Sequence, residues 1–472
     1  MNALSALALP LLLAAQLAVS RGDAPPAGAP AASAPDSAMS ALTPAAAAPA
    51  LAAPSTTAPM APPTAGLAMA FTPEDVARAL RHSPLPAAPI DPTNAVSGDP
   101  RAARFGQYLF FDARLSRDGA VSCATCHAPA SAFADGRVLA HGLGDATRHA
   151  PALWNVADNR WFFWDGRADS LWAQALGPLE NPVEHGGSRL EIVRTLEREP
   201  ELRRAYQNLF GQLPELSAAA RTLPAARPVP DDARAAELVA WLSLAADERR
   251  AIDVAFSNVG KCLAAYVRLI RSDRAPFDVF VEGLRDGDAG KLAALSPSAQ
   301  RGLQLFEGRA DCRMCHSGPD FTDREFHSVR VPSASKALGR DPGRYTGITK
   351  VLTDPFNGLG DFSDDRGEAA RDKLAFLDTR TGNQGQFKTP SLRNVAVTAP
   401  YMHQGQLATL RDVLHHYSEF DDAFDPLKGH FEQTLQPLHF TAQETEDLLT
   451  FLESLTDIDL DPALMSQPAS PR

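Results

Sequence analysis

Two pentapeptides constrain what this chain can fold into: Cys123-Ala124-Thr125-Cys126-His127 and Cys312-Arg313-Met314-Cys315-His316. Each has the same kind of lead-in. Phe105-Gly106-Gln107-Tyr108-Leu109-Phe110 precedes the first and Gly302-Leu303-Gln304-Leu305-Phe306 the second, a short helical stretch ending in Leu-Phe and then a turn containing Gly. Such self-similarity marks a duplicated module. Ser296 followed by Pro297 gives the second lead-in an N-cap and a proline at the first turn. Alternating strand-like runs are rare, while amphipathic stretches recur at Glu191–Leu209, Ala235–Leu244 and Asn258–Ile270. The expected fold is mainly α, with two similar lobes and long connecting loops.

Cys-x-x-Cys-His reads as covalent haem attachment. Two thiols one helical turn apart meet the two vinyl groups, and the adjoining His becomes the proximal iron ligand. A thioredoxin-like pair leaves the His at both positions unexplained, and a zinc site would have to combine two distant halves. Cys123, Cys126, Cys312 and Cys315 are therefore expected to anchor two c-type haems, with His127 and His316 on the irons, in two cytochrome c-like lobes. Five cysteines are too few for a disulfide scaffold. Cys262 stands alone in an expected helix, Lys261–Ile270, and reads as a small buried hydrophobe.

Covalent haem assembly implies export, most simply to a bacterial periplasm, and the amino terminus agrees. Residues 4–19 form an uncharged apolar run, too short to span a bilayer comfortably and suited to a signal-peptide core. Ala18-Val19-Ser20 follows with small residues, although no Lys or Arg precedes the run, which keeps an uncleaved interfacial anchor open. Residues 21–70 are almost pure Ala, Pro, Ser, Thr and Gly, a composition that cannot offset its ordering entropy and reads as a disordered tether. Leu213–Pro230, also Ala/Pro-rich, reads as a surface loop. With 45 Lys+Arg against 57 Asp+Glu the net charge is −12, which excludes a nucleic-acid binder.

From about Phe71 to Asp457 the sequence resembles the bacterial dihaem cytochrome c peroxidase/MauG family. The resemblance is carried by Leu109-Phe110-Phe111-Asp112-Ala113-Arg114-Leu115-Ser116, Phe163-Trp164-Asp165-Gly166-Arg167-Ala168, Asn181-Pro182-Val183-Glu184, Lys388-Thr389-Pro390-Ser391-Leu392-Arg393-Asn394-Val395 and Ala399-Pro400-Tyr401-Met402-His403-Gln404-Gly405. It implies a peroxide-reactive haem in the first lobe and an electron-relay haem in the second. The organisation expected is a signal peptide over 1–20, a linker over 21–70, an N-terminal peroxidatic haem c domain over 71–255 and a C-terminal electron-relay haem c domain over 256–472. No membrane span is expected once the signal is removed.

The resemblance also assigns roles. Glu184, twenty residues after Trp164, is expected over the first haem, moving a proton from the near to the far oxygen of hydrogen peroxide. Gln174 matches a pocket glutamine of the MauG-like members, and Trp164 an indole between the two haems. Twelve residues after Gly405, where cytochrome-fed peroxidases place a Met ligand for the second iron, stands Tyr417, as in MauG-like members. His416 is its main competitor, with His415, His403 and Met402 behind. His141, seven residues before Arg148, matches the distal His that blocks the first haem of resting cytochrome peroxidases, so either ligation or solvent exposure is open. The family's bridging calcium uses an Asn side chain and carbonyls near Thr398 and Pro400. His149 stands at the Asn position, which leaves calcium either absent or held through carbonyls and water.

The function expected is a MauG-like oxidoreductase that reacts with hydrogen peroxide and spends the oxidising equivalents on an electron-donor protein or a protein substrate. The alternatives are a peroxidase supplied with electrons by a small redox protein, and a non-catalytic electron-transfer cytochrome. Substrate recognition is expected in loops such as Ser333–Phe362, which no motif fixes.

Overall fold

The computed structural model describes residues 67, 70–228, 234–272, 274–420 and 435–472. The expected signal over 1–20 and nearly all of the expected linker over 21–70 lie outside the described residues. The fold is mainly helical. Eight helices frame the site: α1 (Pro100–Phe110), α2 (Leu171–Glu180), α3 (Ala246–Val267), α4 (Pro297–Glu307), α5 (Arg344–Thr353), α6 (Glu368–Ala375), α7 (Leu410–Glu419) and α8 (Ala442–Glu453). Two short strands, β1 (Phe326–His327) and β2 (Phe387–Lys388), pair antiparallel with Phe326 opposite Lys388.

The duplication takes the form of two helix crossings. The Asp99 carboxylate caps α1 by accepting from the Arg101 amide at 2.8 Å, and Ser296 Oγ caps α4 by accepting from the Ala299 amide at 3.2 Å. α1 crosses α3 at Gly106, where a Cβ would lie 1.8 Å from the Cys262 carbonyl oxygen. α4 crosses α8 at Gly302, where a Cβ would lie 2.0 Å from the Asp447 carbonyl oxygen. No side chain fits between backbones this close, so the glycine of each lead-in is what lets the two helices of its lobe meet. Cys262 is buried at the first of these crossings, a packing residue.

The two hydrophobic cores divide the chain elsewhere than at 255/256. That point falls inside α3, a continuous helix that buries its turns from Ile252 to Val267 in the first core. The second core resumes at Phe277 and also holds Phe71 and Ala79. His82, close behind, stacks on Phe321 with centroids 4.3 Å apart and hydrogen-bonds Glu307 at 2.6 Å. The chain thus begins its described part on the second lobe, builds the first, builds the second, and returns to the first core at Leu460.

Three sequence readings shift in detail. Pro200 divides the Glu191–Leu209 stretch into helices Arg189–Arg198 and Pro200–Phe210, because proline cannot donate within a helix but suits a first turn. Leu213–Pro230 is not merely a surface loop: it contains the helix Ala218–Thr222 and buries Leu216, Ala220 and Ala226 against the first core, while Pro230 lies outside the described residues. Ser333–Phe362 contains α5, whose Gly347 packs on the Asp165 backbone so tightly that a Cβ would lie 2.0 Å from its carbonyl oxygen.

Candidate active site

A single cavity of about 1220 Å³ runs between the lobes and is lined by Cys126 and His127 at one end and by Cys312, Cys315 and His316 at the other. Each pentapeptide makes one helical turn, closed by His127 N–H to Cys123 O at 3.0 Å and by His316 N–H to Cys312 O at 2.9 Å. The proximal imidazoles are oriented alike. His127 Nδ1 donates to Phe133 O at 3.3 Å and His316 Nδ1 to Phe321 O at 2.9 Å, which leaves each Nε2 as the free lone pair. Phe133 and Phe321 are fully buried and hold φ of 55° and 52°, turning those carbonyls back toward the rings. Burial depresses the pKa of both histidines, the neutral form a metal requires. Burial also pushes the thiols of Cys123 and Cys312 up to about 12 and that of Cys126 to about 11. Neutral thiols paired with a neutral imidazole on a shared hollow fit a haem at each end.

The repeat continues around the cavity with a constant offset of 239 residues. Asn155 and Asn394 both hold left-handed backbone, as do Phe163 and Met402, and Gly166 and Gly405. The turns pair through Phe162 with Ala168 and through Tyr401 with Leu407. Ser170 then caps α2 and Thr409 caps α7. Trp164 therefore corresponds to His403, and Pro178 to Tyr417, all four lining the cavity.

Trp164 joins the lobes. Its indole N–H donates to His149 O at 3.0 Å in the first, and its carbonyl accepts from Lys388 N of β2 at 2.8 Å in the second. The next residue, Asp165, is buried and paired with Arg148 at 2.7 Å and Arg167 at 3.0 Å. Arg148 also makes a bidentate pair with Asp341, at 2.7 and 2.8 Å. This clamp tying the Trp164 turn to the second half of the chain has no sequence signal, since its partners lie 193 residues apart.

At the first end the cavity is lined by Gln174 and Pro178 of α2 and by Glu184. Asn181 Nδ2 donates to Glu184 Oε1 at 2.5 Å. Burial raises the Glu184 pKa, with Arg167 and the Asn181 amide pulling it back. Leu143 N–H donates to Glu184 O at 3.0 Å, and Gly142 lies so close that a Cβ would sit 2.7 Å from that oxygen. The 141–144 loop therefore fixes the Glu184 turn. His141 itself faces away: its side chain is 45% exposed, bonds Asp145 at 2.6 Å and is not part of the cavity wall.

At the second end Tyr417 lines the cavity from α7. Burial and the nearby Cys312 and Cys315 push its hydroxyl pKa up, so a phenolate there requires a cation beside it. His416 instead turns its Nε2 to Val329 O at 2.7 Å, and neither His415 nor His416 lines the cavity. His403 lines it but lies flat on Phe387, centroids 3.6 Å apart, and Met402 lines it beside His403. His149 is buried and directs Nδ1 to Arg137 O at 2.7 Å, so it supplies no oxygen and spends its N–H on a carbonyl that a hard cation could have used.

Comparison with known proteins shows the family. A family signature described as di-haem cytochrome c peroxidase matches residues 100–286. The chain is 33% identical over 383 residues to the cytochrome-c peroxidase IdrP1 of Denitromonas iodatirespirans, covering 79% of this chain and 85% of that protein. The chain belongs to the dihaem cytochrome c peroxidase and MauG family. It is 32% identical over 374 residues to the methylamine utilization protein MauG of Methylorubrum extorquens, covering 79% of this chain and 82% of that one. The crystal structure of the diheme peroxidase BthA from Burkholderia thailandensis superposes with a TM-score of 0.56 at 25% identity, over 83% of this chain and 94% of that chain. Haem cofactors and an oxidoreductase of the peroxidase or MauG kind follow from this membership. Among the described residues no helix is long and apolar enough to cross a membrane.

Proposed function

We propose that this chain is a periplasmic dihaem c-type oxidoreductase that reacts with hydrogen peroxide at the first haem and shares the oxidising equivalents with a second haem ligated by Tyr417. The observation that carries this reading is the single cavity, in which Glu184 and Tyr417 stand at opposite ends with Trp164 on the wall between. Cys123 and Cys126, and Cys312 and Cys315, with His127 and His316 as proximal ligands, would hold the two haems, which would supply the redox-active iron for peroxide reduction.

The residues divide the remaining work. Pro178 offers no side-chain ligand atom where the second lobe has Tyr417, so an iron held at the first site would be left open to peroxide on that side. Glu184 accepts a proton from the near peroxide oxygen and returns it to the far one, which leaves as water. Asn181 holds the carboxylate oxygen that does not move the proton, and Gln174 lines the same wall. Trp164 offers an oxidisable π-system between the lobes, so that an electron crosses in two short steps. Tyr417, as a hard anionic donor, would lower the potential of an iron held at the second site and favour its oxidised state. The equivalents end on an electron-donor protein or on a protein side chain at the surface.

The test is one equivalent of peroxide added to the fully oxidised protein, followed by optical and EPR spectra. A long-lived oxidised species involving both haems, formed without prior reduction, supports the proposal. A reaction that needs half-reduction selects the peroxidase supplied by a small redox protein. No reaction in either state selects the electron-transfer cytochrome.

A further inference from the structure

Two indoles three residues apart have opposite electrostatic surroundings. Trp161 is 3% exposed, lies outside the cavity wall and packs with Val351 of α5 and Leu374 of α6. Three cations stand over its ring: the Arg344 guanidinium at 4.4 Å from the centroid, Lys373 Nζ at 5.0 Å and the Arg160 guanidinium at 5.8 Å. Arg344 is fixed by a 2.8 Å bond to Gly166 O, and Lys373 by the Asp169 carbonyl. Burial draws Arg344 down to about 10, which still leaves it charged at neutral pH. Among the acidic neighbours, Glu325 is 3.7 Å from Arg160 at the surface, Asp165 is already paired with Arg148 and Arg167, and Asp169 and Asp91 lie near Lys373, where they offset part of the lowering that burial imposes on its pKa. No acceptor meets the Trp161 N–H among the described residues.

Trp164 differs on both counts. Its N–H donates to His149 O at 3.0 Å, and no cation stands over its ring among the described residues. A neutral indole attracts a nearby cation through its quadrupole, but an indole that has lost an electron is itself a cation and is repelled. The cations that stabilise the Trp161 packing therefore oppose its oxidation. Their source is also notable. His316 to Pro390 spans 74 residues where His127 to Pro151 spans 24, and the additional chain brings α5 and α6, with Arg344 and Lys373, over Trp161.

We infer that Arg344, Lys373 and Arg160 form a cationic fence that keeps Trp161 out of the redox path and confines oxidising equivalents to Trp164. The inference rests on the peroxide chemistry proposed above. An equivalent that escapes onto an indole leaves a stable record: tryptophan plus hydrogen peroxide gives hydroxytryptophan plus water, two electrons and one oxygen atom passing to the ring.

The test treats the dihaem protein with peroxide in the absence of reductant and measures oxygenation at positions 161 and 164 by peptide mass spectrometry. A second arm replaces peroxide by carbonate radical, a one-electron oxidant that needs no haem. In the wild type, oxygenation at 164 exceeds that at 161 in both arms. Lys373→Met raises the 161-to-164 ratio about tenfold, from the loss of one charge at 5.0 Å, while Lys373→Arg leaves it as in the wild type. Arg160→Gln, at an exposed site, raises it by a smaller factor and decides the matter if Lys373→Met fails to fold. A ratio unchanged in both charge-removing variants, or Trp161 oxygenated as readily as Trp164 in the wild type, overturns the fence. If only the radical arm oxygenates the protein and the variants still shift the ratio, the fence stands and the peroxide reading falls.

Discussion

Replacing Glu184 by Gln removes the group proposed to move a proton at the first site while keeping its size. The amide oxygen still accepts from Asn181 Nδ2, so the turn held by Leu143 and Gly142 is expected to keep its shape. General acid–base catalysis of this kind contributes about 10²–10⁴ in rate, or about 3–5 kcal/mol of barrier. Stopped-flow mixing of the oxidised protein with peroxide should show a slowing of that size. The pH profile supplies a second readout. The carboxylate is the accepting form and burial raises its pKa, so the wild-type rate should fall as pH drops through a value above the ordinary Glu range. The variant should lack that limb. Stability separates this from misfolding. A carboxylate whose folded pKa is raised costs stability above its unfolded pKa and recovers it as pH falls through the folded one, so Glu184→Gln should not lower Tm at neutral pH. A rate within tenfold of wild type, or an unchanged acidic limb, would refute the assignment.

Other perturbations test other links. Tyr417→Met should change the spectrum of one haem only and raise its reduction potential, as read by potentiometric titration. Gly302→Ala forces a Cβ against a backbone oxygen 2.0 Å away and should cost about 3 kcal/mol, lowering Tm by about 6–12 °C and weakening haem retention in the second lobe first. Arg148→Met leaves Asp341 without its bidentate partner and should cost about 3–5 kcal/mol in urea unfolding.

What could be read from the sequence was local. Cys-x-x-Cys-His and the Ser296-Pro297 start are short patterns whose geometry follows from a single turn, whereas the helix crossings at Gly106 and Gly302 appear only in the structure. The expected roles of Glu184 and Trp164 rest on longer motifs through the family resemblance; the cavity wall includes both residues. Three features depended on contacts between distant residues. The Arg148–Asp341 clamp joins loops 193 positions apart. The expected division at 255/256 falls inside α3, which carries on past it in the same core. The direction of the His141 side chain depends on Asp145 and on a loop closed by Gly142 and Glu184, which spacing alone does not reveal. The correspondence of Pro178 with Tyr417 was available in principle, since Pro151, Leu153, Asn155, Val156 and Gly166 recur 239 residues later as Pro390, Leu392, Asn394, Val395 and Gly405, but Pro178 and Tyr417 themselves share no chemistry that would flag the pair.

The central claim is that both irons share the oxidising equivalents of one peroxide through Trp164. The direct measurement is EPR of the two ferric signals after one equivalent of peroxide, in the wild type and in Trp164→Phe. Loss of both signals together in the wild type, and of the first alone in the variant, is the result expected. A second-haem signal that persists in the wild type, or that is lost equally with phenylalanine at 164, would contradict it.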